Sequence, residues 1–308
     1  MAWDYEDLFD VTDLGGLTPI EQAARLEAAD RWKEERTGIR KGRMGYRTRT
    51  VKAGPRLEAE IFPIFGTEME TKARAARENL TPEKIQRHND EKARRNLVRL
   101  LDANFSQGDY HITLTFAGKA PGWNRAVKDI RNFIAKVRRL REKRGLPEMK
   151  YIYAMEDAEE GREKRIHAHL ITQGDLPRED LEKLWAKNGK TIGYCNCDEL
   201  QPGPEGLEAI ARYIYNQRPG LPREKKGKRK YSCSKNLRKP QLRTSDTKVT
   251  GGRVKRLAGV FGSDETEARR IMEKLYPGYE YVRGSAKGSD IVDGVYIRVL
   301  MRKRRTER

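Results

Sequence analysis

The chain contains four histidines, His88, His111, His167 and His169, and the last two stand in Arg165-Ile166-His167-Ala168-His169-Leu170-Ile171. Strand alternation turns both imidazoles to one face and Ile166, Ala168 and Leu170 to the other. Two imidazoles side by side on an open sheet face can bind one divalent ion and leave positions for water or phosphate. A third ligand is expected from a neighbouring strand. Glu156 ends Tyr151-Ile152-Tyr153-Ala154-Met155-Glu156. A hairpin register that pairs Glu156 with Arg165 puts its carboxylate beside the histidines, whereas a slip of one residue turns it away. His111, on the polar face of an earlier strand, competes for the same role. Mixed imidazole and carboxylate ligation suits Mn²⁺ or Mg²⁺ and does not choose between them.

The elements that must position these groups follow from periodicity. Tyr110 to Phe116 alternates strictly, with Ile112, Leu114 and Phe116 inward and His111, Thr113 and Thr115 sharing the polar face. Thr113 and Thr115 there present hydroxyls that can hydrogen-bond a phosphate. Trp123 to Arg144 is an amphipathic helix with a largely basic outer face. Strands are expected at Lys150 to Glu156 and Arg165 to Thr172, joined through the acidic segment Asp157 to Lys164. A helix over Arg178 to Lys187 follows, then a strand near Ile192 to Cys197 and a helix from Pro204 to Gln217. That last helix carries Tyr213 and Tyr215 on either side of an apolar stripe of Leu207, Ile210, Ala211 and Ile214. The order is β-α-β-β-α-β-α, so the fold class is α+β: an antiparallel sheet of split β-α-β order with helices on one face. Outside this core, helices are expected from Pro19 to about Glu35, from Thr81-Pro82 onward, and from Asp264 to Tyr276 with Asp264 and Glu267 as a capping pair. Strands are expected at Arg56 to Phe65, Tyr279 to Arg283 and Val295 to Met301.

Composition narrows the partners. Lys+Arg 65 against Asp+Glu 46 leaves a net charge of +19. From Arg218 to Arg256 there are 15 Lys/Arg and only Glu224 and Asp246 in opposition, so this stretch holds +13 of the total. Lys225, Lys226, Lys228, Arg229 and Lys230 can neutralise phosphates, and Ser234 and Asn236 can hydrogen-bond them. No apolar run is long enough for a membrane span, the basic segment has no amphipathic apolar face, and the N-terminus lacks the order of a secretory signal. Three cysteines cannot make a disulfide framework, and Cys195-x-Cys197 lacks the further ligands of a zinc site. A cytoplasmic, nucleic-acid-binding protein is expected. The organisation reads as a partly helical accessory region (1–95), a core (96–217), a basic DNA-binding segment (218–256) and a small α+β appendage (257–308).

His-Ala-His on a strand, preceded by the His111-Ile-Thr-Leu-Thr-Phe116 strand and followed by a tyrosine-bearing helix, resembles the HUH endonucleases. More closely it resembles the rolling-circle replication initiators (Rep proteins) of phages, plasmids and integrative elements, over about residues 95 to 240. The resemblance implies a divalent metal held by His167, His169 and Glu156 that polarises a scissile phosphate of single-stranded DNA. It also implies a tyrosine that attacks, leaving a 5′-phosphotyrosine and a free 3′-OH. Single-tyrosine relatives carry Tyr-x-x-Lys, which aligns Tyr213 as nucleophile with Asn216 at the lysine position. Tyr215 is the other candidate. Two-tyrosine relatives space their pair at i and i+4, whereas here it is i and i+2, about 200° apart on a helix, so only one can face a metal. The implied partners are single-stranded DNA at a replication origin and the host's replicative helicase and polymerase. A relaxase or single-strand transposase would share this chemistry. A non-catalytic module of RNA-recognition type shares the element order, but would present stacking aromatics where His167 and His169 stand. No phosphate-binding G-x-x-x-x-G-K-[ST] motif occurs, which excludes a fused helicase.

Overall fold

A computed structural model describes residues 45–64, 81–118, 121–156, 166–216, 231–288 and 294–304. The expected helix from Pro19, the connection from Asp157 to Lys164, and Lys225, Lys226, Lys228, Arg229 and Lys230 lie outside the described residues. In chain order, β1 (Gly45–Ala53), β2 (Arg56–Ile64) and α1 (Pro82–Asn104) come first. The middle supplies β3 (Tyr110–Thr115), α2 (Trp123–Lys143), β4 (Tyr151–Glu156), β5 (His167–Thr172) and α3 (Arg178–Leu184). It continues with β6 (Ala186–Lys187), β7 (Lys190–Thr191), β8 (Cys195–Glu199), α4 (Glu208–Asn216) and β9 (Ser232–Cys233). Last come β10 (Gln241–Ser245), α5 (Gly251–Val260), α6 (Glu265–Leu275), β11 (Tyr279–Gly288) and β12 (Val295–Lys303). The chain divides into two units, 94–240 and the flanks 1–93 with 241–308.

The fold is α+β. In the central unit five strands form one antiparallel sheet in the order β8-β3-β5-β4-β9. Period-two alternation sends Ile112, Leu114, Tyr153, Met155, Ala168 and Leu170 to one core with Ala126, Ile130, Phe133 and Val137 of α2. Full burial of each larger side chain is worth about 1.5–3 kcal/mol, which holds helix to sheet. Cys195 and Cys197 belong to this core side as free thiols. At the end of α2, Gly145 takes a left-handed φ of 65° and Leu146 N donates to Arg141 O at 3.0 Å. Glycine is what this reversal requires. The fully buried Arg141 guanidinium then clamps the segment after β5 through Asp175.

Two expected elements are displaced. The helix after β5 stops at Leu184 rather than Lys187, because Asn188 (φ 50°) and Gly189 (φ 75°) turn the chain into the β6–β7 hairpin. Asn-Gly is the favoured pair for such a two-residue turn. The strand expected from Ile192 begins at Cys195. Before it, Tyr194 O accepts from Thr115 N at the end of β3 and Ile192 O accepts from Ala117 N, each at 2.9 Å. Not every helix shares one face, either. Helix α2 covers the apolar side, whereas α4 lies against the histidine side, where ring contacts join Tyr213 to His111 and His169.

The flanking unit is built on a second antiparallel sheet, β10-β1-β2-β12-β11, packed with α5 and α6. The two flanks, read apart from sequence, therefore share one sheet, with β2 pairing β12 from Ile61↔Ile297 to Arg56↔Arg302. Gly54 (φ 57°) and Pro55 close the β1–β2 hairpin, glycine supplying the positive φ. Helix α6 starts as expected, with Asp264 Oδ1 accepting from Glu267 N at 2.9 Å. Strands β1 and β10 and helix α5 had not been anticipated, since Arg, Lys and Thr obscure their apolar positions. Among the described residues no helix is long and apolar enough to cross a membrane.

Candidate active site

The observed β4–β5 register pairs Glu156 with His167, not with Arg165. The difference is two residues, and the sheet repeats every two, so Glu156 still shares the histidines' face. On the other side of β5, Thr113 and Thr115 of β3 stand opposite His169 and His167. One carboxylate, two imidazoles and two hydroxyls thus fill adjacent positions on one face of three strands.

Within this group His167 Nε2 lies 2.8 Å from Glu156 Oε2, and His169 Nε2 lies 3.9 Å from the same oxygen. Ligand atoms of Glu156, His167 and His169 all fall within 4.8 Å of one another, so the three could hold a metal ion. The donor set fits such an ion. His169 is 2% exposed, and its Nε2 is a buried polar atom without a hydrogen-bond partner. Burying such an atom unsatisfied costs about 1–3 kcal/mol, a cost that coordination would remove. Its other nitrogen, Nδ1, sits 3.1 Å from His111 Nε2 and 3.5 Å from Thr113 Oγ1. His111 therefore meets His169 on the side away from Glu156. There it orients the ring as outer partners of ligating histidines do.

Electrostatics favours imidazoles ready to ligate. Burial, reinforced by the imidazoles of His111 and His167, pushes the His169 pKa down to about 3. His111 is likewise lowered by burial, opposed by the Asp198 carboxylate. Neutral imidazole offers the lone pair that a metal needs.

Helix α4 brings a phenol to this cluster. Leu207, Ala211, Ile214 and Tyr215 are buried, at i, i+4, i+7 and i+8, so Tyr215 belongs to the apolar stripe. Tyr213, turned about 200° from it, is 47% exposed. Its ring centroid is 5.0 Å from that of His169 and 6.1 Å from that of His111, both edge-on. The start of α4 is held by a residue that sequence reasoning missed. Asp102, 3% exposed near the end of α1, accepts from Leu207 N at 3.0 Å through Oδ1. Its signal was an acid beside the apolar Leu97, Leu100 and Leu101.

The remaining expected DNA contacts are distributed otherwise. Ser234 is buried, its Oγ accepts from Tyr151 N at 3.1 Å, and its own N–H donates to Tyr151 O. Asn236 Nδ2 donates to Met149 O at 3.3 Å. Both side chains are used to hold the segment around β9 to the edge of β4 rather than being displayed on the site face. Thr115 Oγ1 contacts the backbone of residue 194, while Thr113 faces the histidines.

Residues 109–217 match the model of a family described as replication-associated protein ORF2, a family of rolling-circle replication initiators. The matched segment begins one residue before β3 and ends one residue after α4, so it contains every group in the cluster described above. No curated protein and no solved structure gives a match.

Proposed function

We propose that this chain, whose residues 109–217 match a rolling-circle replication-associated family, nicks and rejoins single-stranded DNA at a replication origin through a covalent tyrosine intermediate. The observation that carries the reading is the exposed Tyr213 ring beside His169, with Tyr215 turned into the core. Glu156, His167 and His169 would hold a divalent ion, Mn²⁺ or Mg²⁺. When bound, that ion supplies positive charge to the non-bridging oxygens of a phosphate and stabilises the charge developing in the transition state.

The chain's own residues do the rest. Tyr213 Oη forms a bond to phosphorus as the bond from phosphorus to the 3′-oxygen breaks. A 5′-phosphotyrosine and a free 3′-OH result. The phenolic proton leaves to solvent, which reaches the half-exposed Tyr213, and the departing 3′-oxygen takes a proton from solvent. His111 holds the ring of His169, and Thr113 offers a hydroxyl to the strand. Because the phosphodiester energy is kept in the tyrosyl ester, a later 3′-OH can reverse the step and rejoin the strand. The released 3′-OH would prime the host polymerase, with a host helicase opening the duplex ahead. The basic residues Lys225 to Lys230 would hold the strand by counterion release, so affinity should fall steeply with salt.

The test is to incubate the protein with a single-stranded origin oligonucleotide and Mn²⁺ and look for a covalent adduct. The adduct is expected from wild type and Tyr215→Phe, and absent from Tyr213→Phe and from His167→Ala with His169→Ala. An adduct lost in Tyr215→Phe but kept in Tyr213→Phe would reverse the assignment. Tight binding with no adduct from any single strand would leave a binding module in its place.

A further inference from the structure

The row of residues that crosses the site sheet through Glu156, His167 and Thr115 does not end at β3. Thr115 N donates to Tyr194 O at 2.9 Å, and two residues on, Ala117 N donates to Ile192 O at 2.9 Å. Tyr194 therefore extends the same row. Its face follows from its neighbours: Cys195 and Cys197 stand opposite Leu114 and Ile112 and belong to the core. Alternation then turns Tyr194 to the side of His167 and His169. Two strand spacings, about 10 Å, separate it from the row position of His167.

Tyr194 is 80% exposed, more than any other large hydrophobic side chain among the described residues. An aromatic ring usually repays burial, and this one is left in water on a backbone that is firmly held. Besides the bond to Tyr194 O, Tyr194 N donates to Thr115 Oγ1 at 3.2 Å. The preceding Gly193 approaches so closely that a Cβ there would lie 1.9 Å from Thr115 O. That same carbonyl accepts from the indole of Trp185, which is 1% exposed, at 2.8 Å. The ring thus stands on a support fixed to the core, in line with a proposed metal ligand.

We propose that Tyr194 is a stacking platform for a base of the single strand, at a nucleotide flanking the scissile phosphate. The inference rests on the reading of the site given above and deepens it. A rigid aromatic on a polar sheet face, in a chain of net charge +19, fits a polyanion that carries flat rings. Every base has such a face, so Tyr194 would supply affinity and strand placement rather than sequence choice. The Thr115 hydroxyl, expected from sequence to meet phosphate, would instead act by fixing this support.

The test measures binding of the full chain, with chelator present, to a fluorescein-labelled oligothymidylate about 30 nucleotides long and to an abasic strand of equal length. Tyr194→Ala is expected to bind oligothymidylate about 5- to 150-fold more weakly and the abasic strand as wild type does, with Tyr194→Phe unchanged on both. Equal loss on both strands, or loss on neither, would overturn the proposal, the second outcome leaving Tyr194 to contact some other partner. The adduct assay reports separately on the nicking reading. Adduct formation by wild type with no base-dependent loss in Tyr194→Ala sinks the platform alone. Base-dependent loss without any adduct sinks the nicking reading and keeps the platform. A wild-type chain that binds neither strand sinks both.

Discussion

Two rows of side chains cross the two five-stranded sheets of this protein, and they treat a buried carboxylate in opposite ways. In the flanking unit Glu60 of β2 stands directly between Arg49 of β1 and Arg298 of β12. Arg49 Nε lies 3.3 Å and Arg298 Nε 3.7 Å from its oxygens. In the central unit Glu156 stands opposite His167, with His169 3.9 Å away, and His169 is held neutral by burial. Both carboxylates are nearly inaccessible, at 5% and 4% exposure. The first is balanced by fixed cations within the fold. The second meets imidazoles, one with an unsatisfied buried nitrogen, an arrangement that a divalent ion would complete. Sheet architecture alone therefore does not mark a site. The partners across the strands do.

The sharpest way to break this comparison is to remove each carboxylate in turn. Glu60→Ala leaves two arginines facing each other and should cost about 3 kcal/mol, since breaking a buried ion pair strands its partners. Segment-resolved hydrogen exchange should show the loss in β1, β2 and β12, with Mn²⁺-induced stabilisation of the central unit intact. Glu156→Ala should do the converse. It should abolish a stabilisation by Mn²⁺ that would reach about 2.7 kcal/mol at a hundredfold excess over Kd. Equal responses to Mn²⁺ in the two variants would erase the distinction.

A smaller effect is expected at Asp102. Replacing it by alanine leaves the buried Leu207 N–H without its acceptor, a loss of about 1–3 kcal/mol. Because that bond seats the start of α4, adduct formation should fall more than single-strand binding does. Parallel losses in both measurements would mean that Asp102 supports the fold and not the placement of Tyr213.

A further expected effect is a pH dependence. The folded chain holds the His169 pKa near 3, below its ordinary 6.5, so below pH 6.5 the unfolded chain binds the proton first. The contribution of this group to stability is complete above 6.5 and declines as pH falls toward 3, by up to about 1.4 kcal/mol per unit. Urea midpoints of the metal-free protein at pH 7 and pH 5 should show this slope, reduced in His169→Gln. An unchanged slope in the variant would place the dependence on other groups.

Much of the central unit was legible in the chain itself. Strict alternation in Tyr110 to Phe116 and helical spacing in Trp123 to Arg144 encode their structures locally, and both elements form within a residue or so of expectation. Asn188-Gly189 is an equally local turn signal, and it accounts for a helix that ends at Leu184 rather than Lys187. The flanking sheet was harder to read. Strand β10 is exposed along almost its whole length and β1 is rich in Arg and Thr. Although β1 forms a local hairpin with β2, β10 pairs with β1 from the other flank of the chain, and no local pattern announces that partner.

The sequence by itself determined that two imidazoles share a strand face and that two tyrosines on one helix face apart, because both follow from the fixed periods of strand and helix. Tertiary structure alone decided that Glu156 meets His167 across the hairpin and that Tyr213 rather than Tyr215 stands by His169. It also decided that His111 backs the ring of His169, and that Tyr194 completes the row beyond Thr115. These are relations between strands and between a helix and a sheet. Register and packing set them, and a change of one residue in register would have reversed a face without altering any local pattern.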